Sequence, residues 1–221
     1  MASCGHASGP SFKCRAPVTQ NKPEALPAFQ ATCRERLPRV IPPDNRRPVR
    51  VLSQDERRFG LLTVRRRRLT AQGVQPVGPI QHVFEWFDVY GAVAPTTGER
   101  FCLELPYLRS DMFQLFIDAC AQAFPDSLNL LLLDHSGAHT AQGLRWPENV
   151  RSAWLPPDGP ELSPIERVWR DVKDDVAWRQ FTDLDVQQNE VGALLCAYEA
   201  TALQSLTGYT YLVEAINALC L

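Results

Sequence analysis

The apolar positions of this chain follow two periods. Val49 to Ser53 is apolar and β-rich and predicts a strand, with Asp55 at its exit. Phe84 to Ala94 alternates aromatic and small apolar residues and predicts a second strand. The polar stretch at 95–99 is a turn, and Phe101 to Leu105 returns as a third strand, giving an antiparallel meander. From Asp111 to Phe124 the period lengthens, with Met112, Leu115, Phe116, Ala119 and Phe124 roughly on one helical face. Leu128 to Leu133 ends in four consecutive leucines that stop at Asp134, the pattern of a buried strand. Val150 to Leu155 predicts a fifth strand. Ile165, Val168, Trp169, Val172 and Val176 then recur at helical spacing, with charges on the other face. The resulting order is strand, strand, strand, helix, strand, helix, strand, helix. It describes an α/β fold with a five-stranded mixed sheet flanked by helices.

The flanks carry weaker patterns. Residues 1–23 are rich in Pro, Ser, Cys and Gly without periodicity and read as a disordered tail. Glu24 to Leu37 predicts an amphipathic helix with Leu26, Phe29, Cys33 and Leu37 on one face. Pro38 to Pro48, with four prolines, reads as a linker. Asp183 to Leu206 predicts one helix and the segment from Thr207 another. Whether these pack on the core or on another subunit is open at this level. The expected division is a tail, helix and linker over 1–48, a domain over 49–181, and a helical extension over 182–221.

Composition narrows the class. A hydrophobic fraction of 45% with 22% charged residues is that of an ordinary globular chain. Seven scattered cysteines without a CxxC pair argue for reduced thiols and against a zinc ribbon. No apolar run reaches membrane-spanning length and the first ten residues lack a signal-peptide core, so a cytoplasmic protein without membrane contact is expected. The net charge of −2 conceals a segregation. Between Arg34 and Arg68 stand twelve arginines and four acids, a local excess of +8. Arg65, Arg66, Arg67 and Arg68 form its densest run, favouring phosphate contact over a merely solvated face.

The chemistry concentrates between Leu130 and Trp169. Asp134 leaves a buried strand at the sheet edge, where ligands of α/β proteins gather. Glu166 enters a helix after a proline-rich loop, and two facing carboxylates call for a cation such as Mg²⁺ between them. Each has a plainer reading. Asp134 could cap a short helix over 136–143, and Ser163 to Glu166 could be a capping box.

The segments "LLLLDHSGAH" and "LPPDGPELSPIERVWRDVK" resemble the strand, loop and helix that carry the second and third acids of bacterial insertion-sequence transposases of the Tc/mariner superfamily. "VRVLSQDERRFGL" supplies a first aspartate at Asp55, and "YGAVAPTTGERFCLELP" extends the likeness. The resemblance implies an RNase H-like fold with Asp55, Asp134 and Glu166 as catalytic residues and metal ligands. They would hold two Mg²⁺ ions, with Mn²⁺ as a substitute. It implies DNA cleavage followed by strand transfer, on a homodimer bound to element ends and target DNA. His139 matches a histidine common near the second aspartate and is expected to support the site rather than ligate metal. Zinc at Asp134, His135 and His139 is disfavoured by Gly137. His135 stands where asparagine is usual, and Asp158 and Gly159 replace Tyr and Ser. No helix-turn-helix modules precede the domain, so a partner chain carrying them is expected. Two alternatives stay open: a non-catalytic DNA-binding remnant, and a structure-selective RNase H-like nuclease.

Overall fold

A computed structural model describes residues 25–66, 71, 72, 75, 77–157 and 160–219. The tail expected over 1–23 lies outside the described residues, as do Arg67, Arg68, Asp158 and Gly159. The sheet comprises β1 (Val49–Gly60), β2 (Trp86–Val93), β3 (Arg100–Leu105), β4 (Leu128–Leu133) and β5 (Val150–Trp154). Its order is β3-β2-β1-β4-β5. The three-stranded meander is antiparallel, and β4 and β5 add parallel to β1. Among the described residues there are six α-helices: α1 (Ala25–Arg36), α2 (Ser110–Ala123), α3 (Ile165–Asp175), α4 (Leu184–Ala197), α5 (Ala200–Thr207) and α6 (Thr210–Asn217).

Burial on both faces explains the unbroken leucine run. All six residues of β4 are buried, as expected of a central parallel strand covered on both sides. Alternate residues serve different layers. Leu131 and Leu133, with Leu52 and Tyr90, pack against Phe113, Phe116, Ile117 and Cys120 of α2. Leu130 and Leu132 on the opposite face meet Phe29, Cys33 and Leu37 from α1 and its following turn, and Leu212 and Ile216 of α6. Phe59, Phe87, Val89 and Val93 on that same side of the meander pack on Val168, Trp169 and Val172 of α3, with Val191, Leu195 and Leu203 from α4 and α5. The C-terminal helices therefore cover the sheet of their own chain.

The structure corrects four expectations. β1 runs on to Gly60, so Asp55 lies inside a long strand; only its pairing with β4 stops at Ser53. α2 buries the stripe of Phe113, Phe116, Ile117 and Cys120 and leaves Leu115 exposed, because the aromatic stripe presents more surface to bury. Between β4 and β5 there are turns instead of a helix. Ser136 accepts from the amides of His139 and Thr140, and this single helical turn goes no further before Gly143 and Pro147. The helix expected over 183–206 breaks at Tyr198 and Glu199. There Arg100 donates to the carbonyls of Cys196 (2.6 Å) and Tyr198 (2.7 Å). Gly98, at φ +71° in the β2–β3 turn, lies against the same break; a Cβ there would stand 2.1 Å from the Ala200 carbonyl oxygen.

Candidate active site

The period of two along β1 sorts its acids. Ser53 turns to α3, where its hydroxyl lies 3.3 Å from that of Ser163 and accepts from the Ile165 amide at 3.4 Å. Phe59 meets Trp169 on the same side. Asp55 and Arg57 share that parity and the α3 face. Glu56 points the other way and accepts from His139 Nε2 at 2.8 Å.

Parallel pairing brings Asp134 toward Asp55. The β1–β4 register ends with Ser53 beside Leu132, so Asp55 and Asp134 each lie two residues beyond the last pair. The Asp134 carboxylate accepts from the Ser136 amide (3.0 Å) and lies 2.8 Å from His139 Nδ1. It does cap one turn, as the plainer sequence reading proposed, and the residue remains half exposed at the sheet edge. Glu166 sits in the first turn of α3 with Oε2 3.5 Å from Arg57 Nη1. The capping box does not form, because the Ser163 hydroxyl is turned to Ser53 and no side chain caps the helix.

The electrostatics follow from this crowding. Burial pushes the Asp55 carboxyl well above the carboxylate range, and Glu56, Glu166 and Asp134 push it the same way. Two acids distant in sequence, Glu166 and Asp134, thus act on Asp55, and no described basic side chain pairs with it. Asp134 is held low, first by the hydrogen bond from His139. His139 is fully buried between its two carboxylates. Burial opposes its charge, but the hydrogen bonds to Asp134 and Glu56 outweigh it and raise the ring's pKa to about 10. A folded pKa above 6.5 adds stability that is complete below pH 6.5 and lost as pH rises through about 10. In chelator, the stability difference between the native chain and His139→Gln should therefore shrink from pH 6.5 to pH 10. Denaturant melts at both ends of that window check it; a constant difference means that the ring is neutral throughout.

Other candidates separate from the cluster. His135 Nε2 lies 2.8 Å from the Leu155 carbonyl and its ring stacks on Trp154, so the two histidines serve different partners. Glu161 lies in a short 3-10 turn, Pro160–Leu162, and is exposed. Arg65 and Arg66 are exposed, and Arg66 is paired with Asp174 at 2.5 Å. Sequence reasoning missed the Glu56–His139 bridge and Arg57; alternation along β1 puts Arg57 on the face of Asp55, but nothing local joins Glu56 to His139.

A divalent cation suits this donor set. The acids offer hard oxygens, and a bound cation would offset the burial and neighbouring acids that disfavour the charged form of Asp55. Among the described residues no three His, Cys, Asp or Glu side chains yet converge on one point. Glu166 is turned to Arg57.

Residues 50–186 match the family model of the DDE superfamily endonuclease. An uncharacterised protein of Sinorhizobium fredii, y4pE/y4sA, is 34% identical over 102 residues, covering 45% of this chain and 76% of that protein. Two solved structures share the fold. The catalytic domain of Mos1 mariner transposase aligns at a TM-score of 0.56 with 13% identity, over 90% of this chain and 93% of that one. The mariner Mos1 paired end complex with Mg aligns at 0.60 with 14% identity, over 95% of this chain and 66% of that one. This chain thus spans just under two thirds of the Mos1 chain in that complex. At such identities the likeness concerns the fold, a mixed five-stranded RNase H-like sheet flanked by helices. Matched over more than half its length, the chain belongs to the DDE superfamily endonucleases.

Proposed function

We propose that residues 49–181 form a transposase catalytic domain that cleaves DNA and transfers the strand in a Mg²⁺-dependent reaction. One observation carries the reading: Asp55 inside β1, Asp134 just past the end of the parallel β4, and Glu166 in the first turn of α3 lie close enough for the latter two to disfavour the charge on Asp55. The Mg²⁺ of the Mos1 paired end complex and the acid-only donor set both support a divalent ion here. Mg²⁺ held by Asp55, Asp134 and Glu166, with Mn²⁺ as substitute, would activate the attacking oxygen and stabilise the leaving one.

The chain's own residues prepare that chemistry. His139 and the Ser136 amide fix the direction of Asp134. The Ser53–Ser163 contact and the buried Trp169 fix the first turn of α3 and so aim Glu166. Water serves as nucleophile in cleavage, and the freed 3′-hydroxyl serves in transfer.

The proposed substrate is DNA, as element ends and target. Arg65 to Arg68 supply part of the phosphate contact, a homodimer is the acting form, and a partner chain with helix-turn-helix modules supplies end recognition. No described helix is long and apolar enough to cross a membrane. The test is nicking of supercoiled plasmid by the purified chain in Mg²⁺ or Mn²⁺. Nicking that stops with chelator and in Asp55→Asn is the expected result. Equal nicking by native chain and Asp55→Asn would sink the assignment, and nicking confined to RNA–DNA hybrids would favour the nuclease alternative.

A further inference from the structure

The period of two that sorts the acids of β1 also sorts the residues leaving β4. Leu133 pairs with Trp154 of β5 at the last rung of that ladder. His135 stands two residues further and shares the parity of Leu133. Its ring therefore comes to lie on that of Trp154, with centroids 5.1 Å apart and planes at 21°. His135 Nε2 lies 2.8 Å from the Leu155 carbonyl oxygen, which can only accept, so Nε2 carries the proton and donates it. Stack and hydrogen bond together hold the ring in one orientation. Trp154 is half-buried against the α2 layer and gives the pair a firm base. His135 itself remains exposed. The result is a flat ring, fixed from behind and open to solvent.

Its place gives that ring a use. His135 follows Asp134 directly, at the edge where β4 and β5 both end. Bases follow one another at about 3.4 Å along a strand, so a phosphodiester at Asp134 brings a flanking base within reach of the next residue. An aromatic face accepts any base, because every base has a π-face, and a ring already held in place loses little freedom on stacking. We propose that His135, backed by Trp154, is a stacking platform for a nucleobase beside the phosphodiester held at Asp134. The inference rests on the proposed DNA-cleaving function and adds a direction. From the acids between β1 and β4 the strand continues across the exit of β4 toward β5. The contact also differs in kind from those of the arginines, since stacking neutralises no phosphate and releases no counterion.

Fluorescence-anisotropy titrations in chelator, comparing a single-stranded thymidine oligonucleotide with an abasic strand of equal length, test this without any cleavage. The native chain should bind the thymidine strand more tightly. His135→Ala should lower that affinity about tenfold while leaving the abasic strand bound as before. The slope of log K against log salt should not change. His135→Phe keeps a flat ring over Trp154 and loses only the donor to Leu155, so it should bind nearly as the native chain does. A His135→Ala protein of native melting temperature with unaltered affinity for the thymidine strand would overturn the platform. An equal loss on the abasic strand, or as large a loss in His135→Phe, would overturn it too. Absence of plasmid nicking would count against the function alone, because binding in chelator does not depend on it.

Discussion

Glu166→Gln is expected to reduce metal-dependent cleavage by about 10³-fold, the scale of removing a group that stabilises charge at a reacting centre. DNA affinity should stay near native. Three acids compete for the third place in the site, and the structure distinguishes their settings. Glu161 lies exposed in a 3-10 turn, and Asp158 lies outside the described residues. Glu166 stands at the start of a helix whose Ile165, Val168, Trp169 and Val172 are all buried, so packing sets its direction. Since no capping box forms, the substitution removes only the partly exposed contact to Arg57 and should cost about 1 kcal/mol or less. Glu161→Gln should retain most activity. Cleavage rates and thermal melts on both variants decide the matter. A wild-type rate in Glu166→Gln places the third ligand elsewhere, and a large loss of stability in it revives a capping role.

Trp169→Ala should lower stability by about 3–5 kcal/mol, the range for deleting a buried indole. For a chain of this size that is a drop of roughly 10 °C in melting midpoint. Trp169 is fully buried, stands edge-on to Phe59 at 6.4 Å, and fills the space left by Gly91, where a Cβ would lie 2.6 Å from the ring. Trp169→Phe should cost much less. It keeps an aromatic body and removes an indole N–H that is buried without a partner. Cleavage should fall in Trp169→Ala even at temperatures where it remains folded, because the ring fixes the helix that aims Glu166. A melting shift of only two or three degrees would mean that the surrounding helices collapse into the cavity.

The parts of this architecture written in local periodicity were readable in advance. The leucine run predicts β4 to the residue, since a strand buried on both faces needs no polar alternation. The apolar stripe of α3 predicts that helix and the anchoring of Glu166. The division of labour between Asp55 and Glu56 was less legible, because a strand expected to end at Ser53 gives no reason to sort the two acids by face. Once β1 is seen to run to Gly60, parity alone separates them. The bridging role of His139 depends on partners 83 residues upstream and five residues before it, and no local pattern joins these. The break after α4 is set by Arg100 from a distant strand, which explains why a continuous helix was expected there.

The sheet order bears on how the chain assembles. The antiparallel meander needs only neighbouring segments, whereas β4 must dock beside β1 from 79 positions downstream, Leu128 against Val49. Contacts of such separation form slowly, since the entropy of closing the loop is met before any reward. Until β4 arrives, one flank of β1 is an open edge with unpaired amides and carbonyls, a template for pairing between chains. The same docking event brings Asp134 toward Asp55. A newly made chain is therefore most exposed to self-association while its acids are still apart, and completing the pair also closes that edge.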